Sequence, residues 1–170
     1  MLYEMNSKLV ISTSRKPTQI TRRFAQFLKH YFNAVYINRG KSGFNKIINQ
    51  AGTYENSLLL IITETKGNPS NIDVYNLKKD NKNPQYSIYI SVSLPQESGK
   101  INTGKDIVLI NKTNKFDEMF EDMTSFKSDE RIVKDCVILE DYEEIVSASF
   151  IDKKGLNTKY KIYIRGFKSY

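Results

Sequence analysis

The stretch Leu9-Val10-Ile11-Ser12-Thr13-Ser14-Arg15-Lys16-Pro17-Thr18 runs straight on into Gln19-Ile20-Thr21-Arg22-Arg23-Phe24, and its periodicity changes on the way. Leu9 to Ser14 is apolar and β-branched, the composition of a short buried strand. From Ile20 onward Phe24, Phe27, Leu28, Tyr31 and Phe32 continue one apolar stripe at helical spacing, with Arg22, Arg23, Gln26, Lys29 and His30 on the opposite face. Pro17 and Thr18 mark the helix start. A strand that feeds an amphipathic helix opens a β-α-β unit, so the chain reads as α/β.

The pattern repeats downstream. Ala34 to Asn38 reads as a second strand, and the polar turn Arg39-Gly40-Lys41-Ser42-Gly43 leads to Phe44, Ile47, Ile48 and Ala51, again at helical spacing. Ser57 to Thr65 is the most apolar run and suits a central strand covered on both faces; it stops at Lys66-Gly67-Asn68-Pro69. Ile72 to Leu77 and Tyr86 to Ser93 are further strands, separated by the polar segment Lys78 to Pro84. Leu94 to Lys105, with Pro95, Gly99 and Gly104, breaks the periodicity and divides the chain.

Beyond it, Ile107 to Ile110 is a strand, and Asn114 caps a helix with apolar positions Phe116, Met119, Phe120 and Met123 and an acidic outer face. Val137 to Glu140, Ile145 to Ile151 and Tyr160 to Arg165 read as strands, the last two a hairpin turning at Lys153-Lys154-Gly155. The expectation is one domain over residues 1–170, built from two similar halves of mixed sheet with packed helices, about 1–93 and about 106–170.

The 170 residues, 39% hydrophobic and 12% aromatic, suffice for one substantial core. A net charge of +7 and a pI of 9.3 favour a polyanionic partner, because lysine and arginine release counterions when they neutralise phosphates. The charge is uneven: +8 over residues 1–50, +1 over 51–113, −7 over 114–149 and +5 over 150–170. That distribution suggests one polarised basic face. The single cysteine, Cys136, excludes an internal disulfide and any zinc site built from several thiolates, and points to the reducing cytoplasm. No stretch approaches the roughly twenty apolar residues that span a bilayer, so no membrane partner is expected.

Among the residues able to carry chemistry, the junction Ser14-Arg15-Lys16-Pro17-Thr18 stands first. A strand-to-helix junction exposes unpaired N–H groups at a positive helix end, where phosphate can bind. Ser14, Thr18 and Thr21 bring hydroxyls there, and Arg15 and Lys16 bring charge; plain helix capping with two solvated side chains explains the same residues equally well. Arg39 and Lys41 follow the next strand and, in a parallel unit, would reach the same sheet edge. Arg22 and Arg23 either grip a second phosphate or are wet surface. Tyr86, Tyr89, Tyr160 and Tyr163 either stack on bases or pack in the sheet, with packing favoured.

His30 lacks ligand-spaced neighbours, Cys136 reads as core, and the pairs Asp117-Glu118, Glu121-Asp122 and Glu143-Glu144 suit solvation or docking better than magnesium. The junction lacks the Gly-Lys-Ser/Thr ending of a P-loop. No catalytic constellation, metal or cofactor is expected.

The string Ile11-Ser12-Thr13-Ser14-Arg15-Lys16-Pro17-Thr18, continuing through Thr21-Arg22-Arg23-Phe24, resembles the opening signature of the Brix domain. Asn38-Arg39-Gly40-Lys41 and Lys66-Gly67-Asn68-Pro69 resemble the family's next two landmarks, so the likeness covers roughly the first 80 residues. The Arg-His-aromatic element near the family's end appears only as Arg165-Gly166-Phe167. Without long charged extensions, the chain is similar to the compact archaeal members. The resemblance implies ribosome biogenesis through binding of ribosomal RNA or its precursor, without catalysis, alongside ribosomal or assembly proteins. It also implies a two-half fold akin to the anticodon-binding domains of class II aminoacyl-tRNA synthetases. On this view Ser14, Arg15, Lys16, Thr18, Arg22, Arg23, Arg39, Lys41 and Lys66 are the RNA contacts. The alternative is a protein-interaction module whose acidic helix around Phe116 to Phe126 docks basic ribosomal proteins.

Overall fold

The structure, a computed structural model, describes residues 8–54, 57–97, 99–101, 107–116 and 134–170. Strand β1 (Lys8–Thr13) leads into helix α1 (Gln19–Phe32), then β2 (Val35–Tyr36) and helix α2 (Phe44–Ala51). There follow β3 (Ser57–Thr65), β4 (Asn68–Asn76), β5 (Tyr86–Ser93), β6 (Val108–Asn111), β7 (Cys136–Tyr142), β8 (Ile145–Ile151) and β9 (Asn157–Ser169). The nine strands of the described residues form one mixed sheet in the order β2-β1-β3-β4-β5-β9-β8-β7-β6. β1 pairs parallel with β3, which continues antiparallel through β4 to β5. On the far side β6 pairs parallel with β7, which continues antiparallel through β8 to β9. The two runs meet where β5 pairs antiparallel with β9.

The apolar run of β3 is explained by its two covered faces. Leu60 and Ile62 join the cluster under α1, while Leu59 and Ile61 join the smaller one under α2 with Ile47, Ile48 and Tyr75. Helix α1 reaches past the strands beside it in sequence. Phe27 stacks on Tyr160 of β9 at 3.9 Å between ring centroids and meets Phe150 of β8 edge-on at 5.1 Å. The Tyr31 hydroxyl, fully buried, lies 2.9 Å from the Cys136 carbonyl and 2.8 Å from that of Ile151, its one proton shared between them. The main cluster therefore runs without a break from Ile11 in β1 to Leu139 in β7.

Several boundaries differ from the sequence reading. The second strand keeps only Val35–Tyr36. Lys66-Gly67-Asn68-Pro69 does not end a strand region. Lys66 and Gly67 form a two-residue hairpin loop, and Asn68 and Pro69 open β4, opposite Thr65 and Glu64. The loop's backbone explains this, since Lys66 has φ +53° and Gly67 φ +79°, the positive pair a type I′ turn requires. At the other hairpin, the Asp152 carboxylate accepts the Lys154 and Leu156 N–H groups at 2.9 Å each and so folds the Lys153-Lys154-Gly155 turn. Glu143 and Glu144 lie in the exposed β7–β8 turn. Most of the helix expected after Asn114, with Met119, Phe120, Met123 and the acidic pairs Asp117-Glu118 and Glu121-Asp122, lies outside the described residues.

Candidate nucleic-acid interface

Because β1 and β3 run parallel, their carboxyl ends share one edge of the sheet, and α1 begins there. Main-chain bonds tie the loops at that edge together. Ser14 N–H donates to the Ile62 carbonyl at 2.9 Å, Ile37 N–H to Ile11 at 2.9 Å, and Lys16 N–H to Gly40 at 3.3 Å. The segments 14–16 and 38–41 are thus neighbours, as the parallel unit requires. Arg15, Lys16 and Lys41 are exposed and Ser14 is half-buried. Lys66, also exposed, joins them from the β3–β4 hairpin, whose Gly67 carbonyl lies 2.8 Å from the Thr18 hydroxyl.

Arg39 differs from its neighbours. It is only 8% exposed, and its guanidinium donates to the Thr13 carbonyl at 2.9 Å and the Ser42 carbonyl at 2.7 Å. Burial, with the charge of Arg15 nearby, lowers its pKa from the ordinary arginine value. Its fixed fork braces the end of β1 against the following loop, and the surface charge falls to Arg15, Lys16 and Lys41.

Thr18 is engaged within the fold. Its N–H donates to Glu64 Oε2 at 2.9 Å, and its hydroxyl lies 2.6 Å from the same oxygen. The Thr21 hydroxyl donates to that oxygen too, at 2.6 Å. An internal carboxylate therefore occupies the helix end where phosphate was expected, and its charge would repel a second anion. Partial burial works to raise the Glu64 pKa, but the bonds from the Thr18 and Thr21 hydroxyls and the Thr18 N–H outweigh it and hold the pKa below the ordinary glutamate value. No sequence signal marked this; the register shows it, since Thr13 pairs with Ile62 and Glu64 therefore lies just beyond the end of β1, where α1 starts.

Arg22 and Arg23 lie on the polar side of α1. With Gln19, Gln26, His30 and Lys100 they line a groove of ≈ 550 Å3 between α1 and the segment after β5. Arg23 donates to the Pro95 carbonyl at 2.6 Å, which fixes its reach, and Arg22 is exposed. Tyr86 and Tyr160 are core residues at 4% exposure each, whereas Tyr89 is 43% exposed and Tyr163 half-buried on the other face of the sheet. Cys136 is fully buried, and burial pushes its thiol pKa up, the reverse of an activated nucleophile. Among the described residues no group of His, Cys, Asp and Glu could hold a metal ion, and no helix is long and apolar enough to cross a membrane.

No family model matches the chain. Curated relatives do. A probable Brix domain-containing ribosomal biogenesis protein of Archaeoglobus fulgidus is 46% identical over 66 residues, 39% of this chain and 40% of the relative. Its counterpart in Methanococcus maripaludis is 33% identical over 121 residues, 69% of this chain and 65% of the relative. The match thus spans less than two thirds of either relative's length. The counterpart in Methanothermobacter thermautotrophicus is 25% identical over 161 residues, 94% of this chain and 98% of the relative. Among solved structures, Mil, an archaeal Imp4-like protein, superposes with a TM-score of 0.79 at 24% identity, covering 95% of this chain and 99% of that one. A probable ribosomal biogenesis protein from Aeropyrum pernix gives 0.72 at 20% identity, covering 93% and 94%. In sequence the chain is similar to archaeal Brix domain-containing proteins, and the large mixed sheet and two helices of its described residues share the fold of the archaeal Imp4-like protein.

Proposed function

We propose that the chain binds ribosomal RNA or its precursor at the sheet edge formed by Arg15, Lys16, Lys41 and Lys66, as a non-catalytic, cytoplasmic factor of ribosome assembly. The observation that carries this reading is the convergence of these cations from three loops onto one edge, the first two held by main-chain bonds and the buried Arg39 and the Lys66 hairpin by the Thr18 hydroxyl on the Gly67 carbonyl. Such an edge neutralises phosphates and releases their counterions. With its loops already fixed, little ordering entropy opposes binding. Arg39 serves as the brace, and Thr18 and Thr21 serve the fold through Glu64. The mirrored strand orders on either side of β5 and β9 support two halves, about 1–93 and 106–170, akin to class II anticodon-binding domains.

Binding to structured RNA tests the edge. Arg15→Ala with Lys16→Ala should weaken affinity and lower the slope of log K against log salt by about 2, with melting temperature unchanged. Unaltered affinity and slope would remove the site.

A further inference from the structure

The +5 of residues 150–170 is not absorbed by the basic edge, which residues 14–16, 41 and 66 supply. The excess lies largely on β9 and its turn. Along β9 the side chains alternate: Tyr160, Ile162 and Ile164 enter the core, while Lys161 and Tyr163 face the other side of the sheet. Cross-strand pairing shows what surrounds them. Tyr163 lies opposite Ser91 of β5 and Ser147 of β8, and Lys161 opposite Ser93 and Ser149. A cationic and aromatic column is thus flanked on both sides by serines, whose short side chains leave the Tyr163 ring half-exposed.

The column extends at both ends of this face. Tyr89 pairs with Gly166, where a Cβ would meet nothing within 4 Å, so the space beside that ring is open. Arg165, at the bulge in β9, is exposed, and Lys168 lies opposite Ser87. Tyr142, 49% exposed, stands 5.4 Å from Tyr163, and the Lys161 ammonium lies 5.9 Å from the Tyr163 ring centre. The apolar cluster under α2 draws its strand residues from β1, β3 and β4 and leaves this part of the sheet uncovered among the described residues. Among the described residues two acids share the face, and both are engaged: Glu140 pairs with Lys112 at 3.6 Å, and Asp73 accepts the Ser87 hydroxyl at 2.6 Å.

We propose that this open face of β5, β9 and β8 is a second RNA surface, on which single-stranded RNA stacks bases against Tyr89 and Tyr163 while Lys161 and Arg165 hold its phosphates. It rests on the reading of the chain as an RNA binder and adds to it a class of RNA, since stacking needs unpaired bases and the edge does not. An extended acidic peptide would satisfy the cations but would leave the exposed Tyr89 ring without a stacking partner.

Binding of a short oligouridine and of a closed RNA hairpin by the whole chain separates the two surfaces. Tyr89→Leu with Tyr163→Leu should weaken oligouridine binding by about tenfold or more and leave hairpin binding and melting temperature near wild type. Lys161→Ala with Arg165→Ala should weaken oligouridine binding and flatten its salt dependence. Arg15→Ala with Lys16→Ala should chiefly weaken the hairpin. Wild-type oligouridine affinity in the tyrosine variant overturns the platform, as does a wild-type chain that ignores oligouridine or prefers polyglutamate to it. An edge variant with unchanged hairpin affinity sinks the edge and leaves the platform standing.

Discussion

A carboxylate at the first turn of α1 changes what that helix end can hold. Glu64 receives three donors from Thr18 and Thr21, the pattern of a capping acid supplied from another element. Its lowered pKa fixes the sign of the pH effect. The folded chain favours the ionised form more than the unfolded chain does, so the bonds contribute fully above the ordinary value of 4.5 and are lost as pH falls through the lower folded value. Glu64→Gln should cost about 1 kcal/mol at neutral pH, discounted for partial exposure, and should flatten the acid side of the stability curve. Chemical denaturation at neutral pH and below the glutamate range checks it; an unchanged acid limb would remove Glu64 as the cap. This residue was hidden from pattern reading, because an acid at the end of an apolar strand looks like solvent-facing punctuation. Only the parallel register of β1 and β3 shows which helix it meets.

At the level of elements, periodicity succeeded where one face of an element meets one environment. The core stripe of α1 from Phe24 to Tyr31, the bounds of β3, β5 and β8, and the second helix from Phe44 to Ala51 all follow from spacing, whereas Ile20, expected in that stripe, is 42% exposed. It failed where backbone geometry overrides composition. Gly and Pro at 67 and 69 resemble a break, yet the positive φ angles of Lys66 and Gly67 turn the chain within two residues, and buried Pro69 continues β4 beyond the stretch paired with β5. The loop also reaches the candidate site, since a Cβ on Gly67 would approach Thr18 Cγ2 at 3.3 Å. Gly67→Ala should therefore cost about 1–2 kcal/mol, from the left-handed backbone together with pressure on the Thr18 cap. Lys66→Asn should keep the hairpin's stability, because asparagine accepts that φ, while lowering affinity for structured RNA. Thermal melts and binding curves on the two variants separate turn from contact: a stable Gly67→Ala chain would refute the turn assignment, and unaltered binding by Lys66→Asn would remove Lys66 from the edge.

Over the whole molecule, the sequence divides at residues 94–105 but the core does not. Helix α1 is encoded beside β1, yet Phe27 and Tyr31 pack on β8 and β9 and reach the start of β7. Composition could not show this, because a helix stripe declares that it is buried without naming the strands that bury it. The consequence is thermodynamic. If α1 joins the two strand groups, then weakening its contact with the second group must destabilise the first as well. Tyr31→Phe keeps the ring and removes only the hydroxyl between the Cys136 and Ile151 carbonyls, so it should cost about 1–2 kcal/mol. Because the helix bridges both groups, amide exchange should accelerate together in β3 and β8, within one cooperative melting transition. Faster exchange in β8 with β3 unmoved would mean that the groups unfold separately, and that the unbroken cluster from Ile11 to Leu139 is contact without coupling.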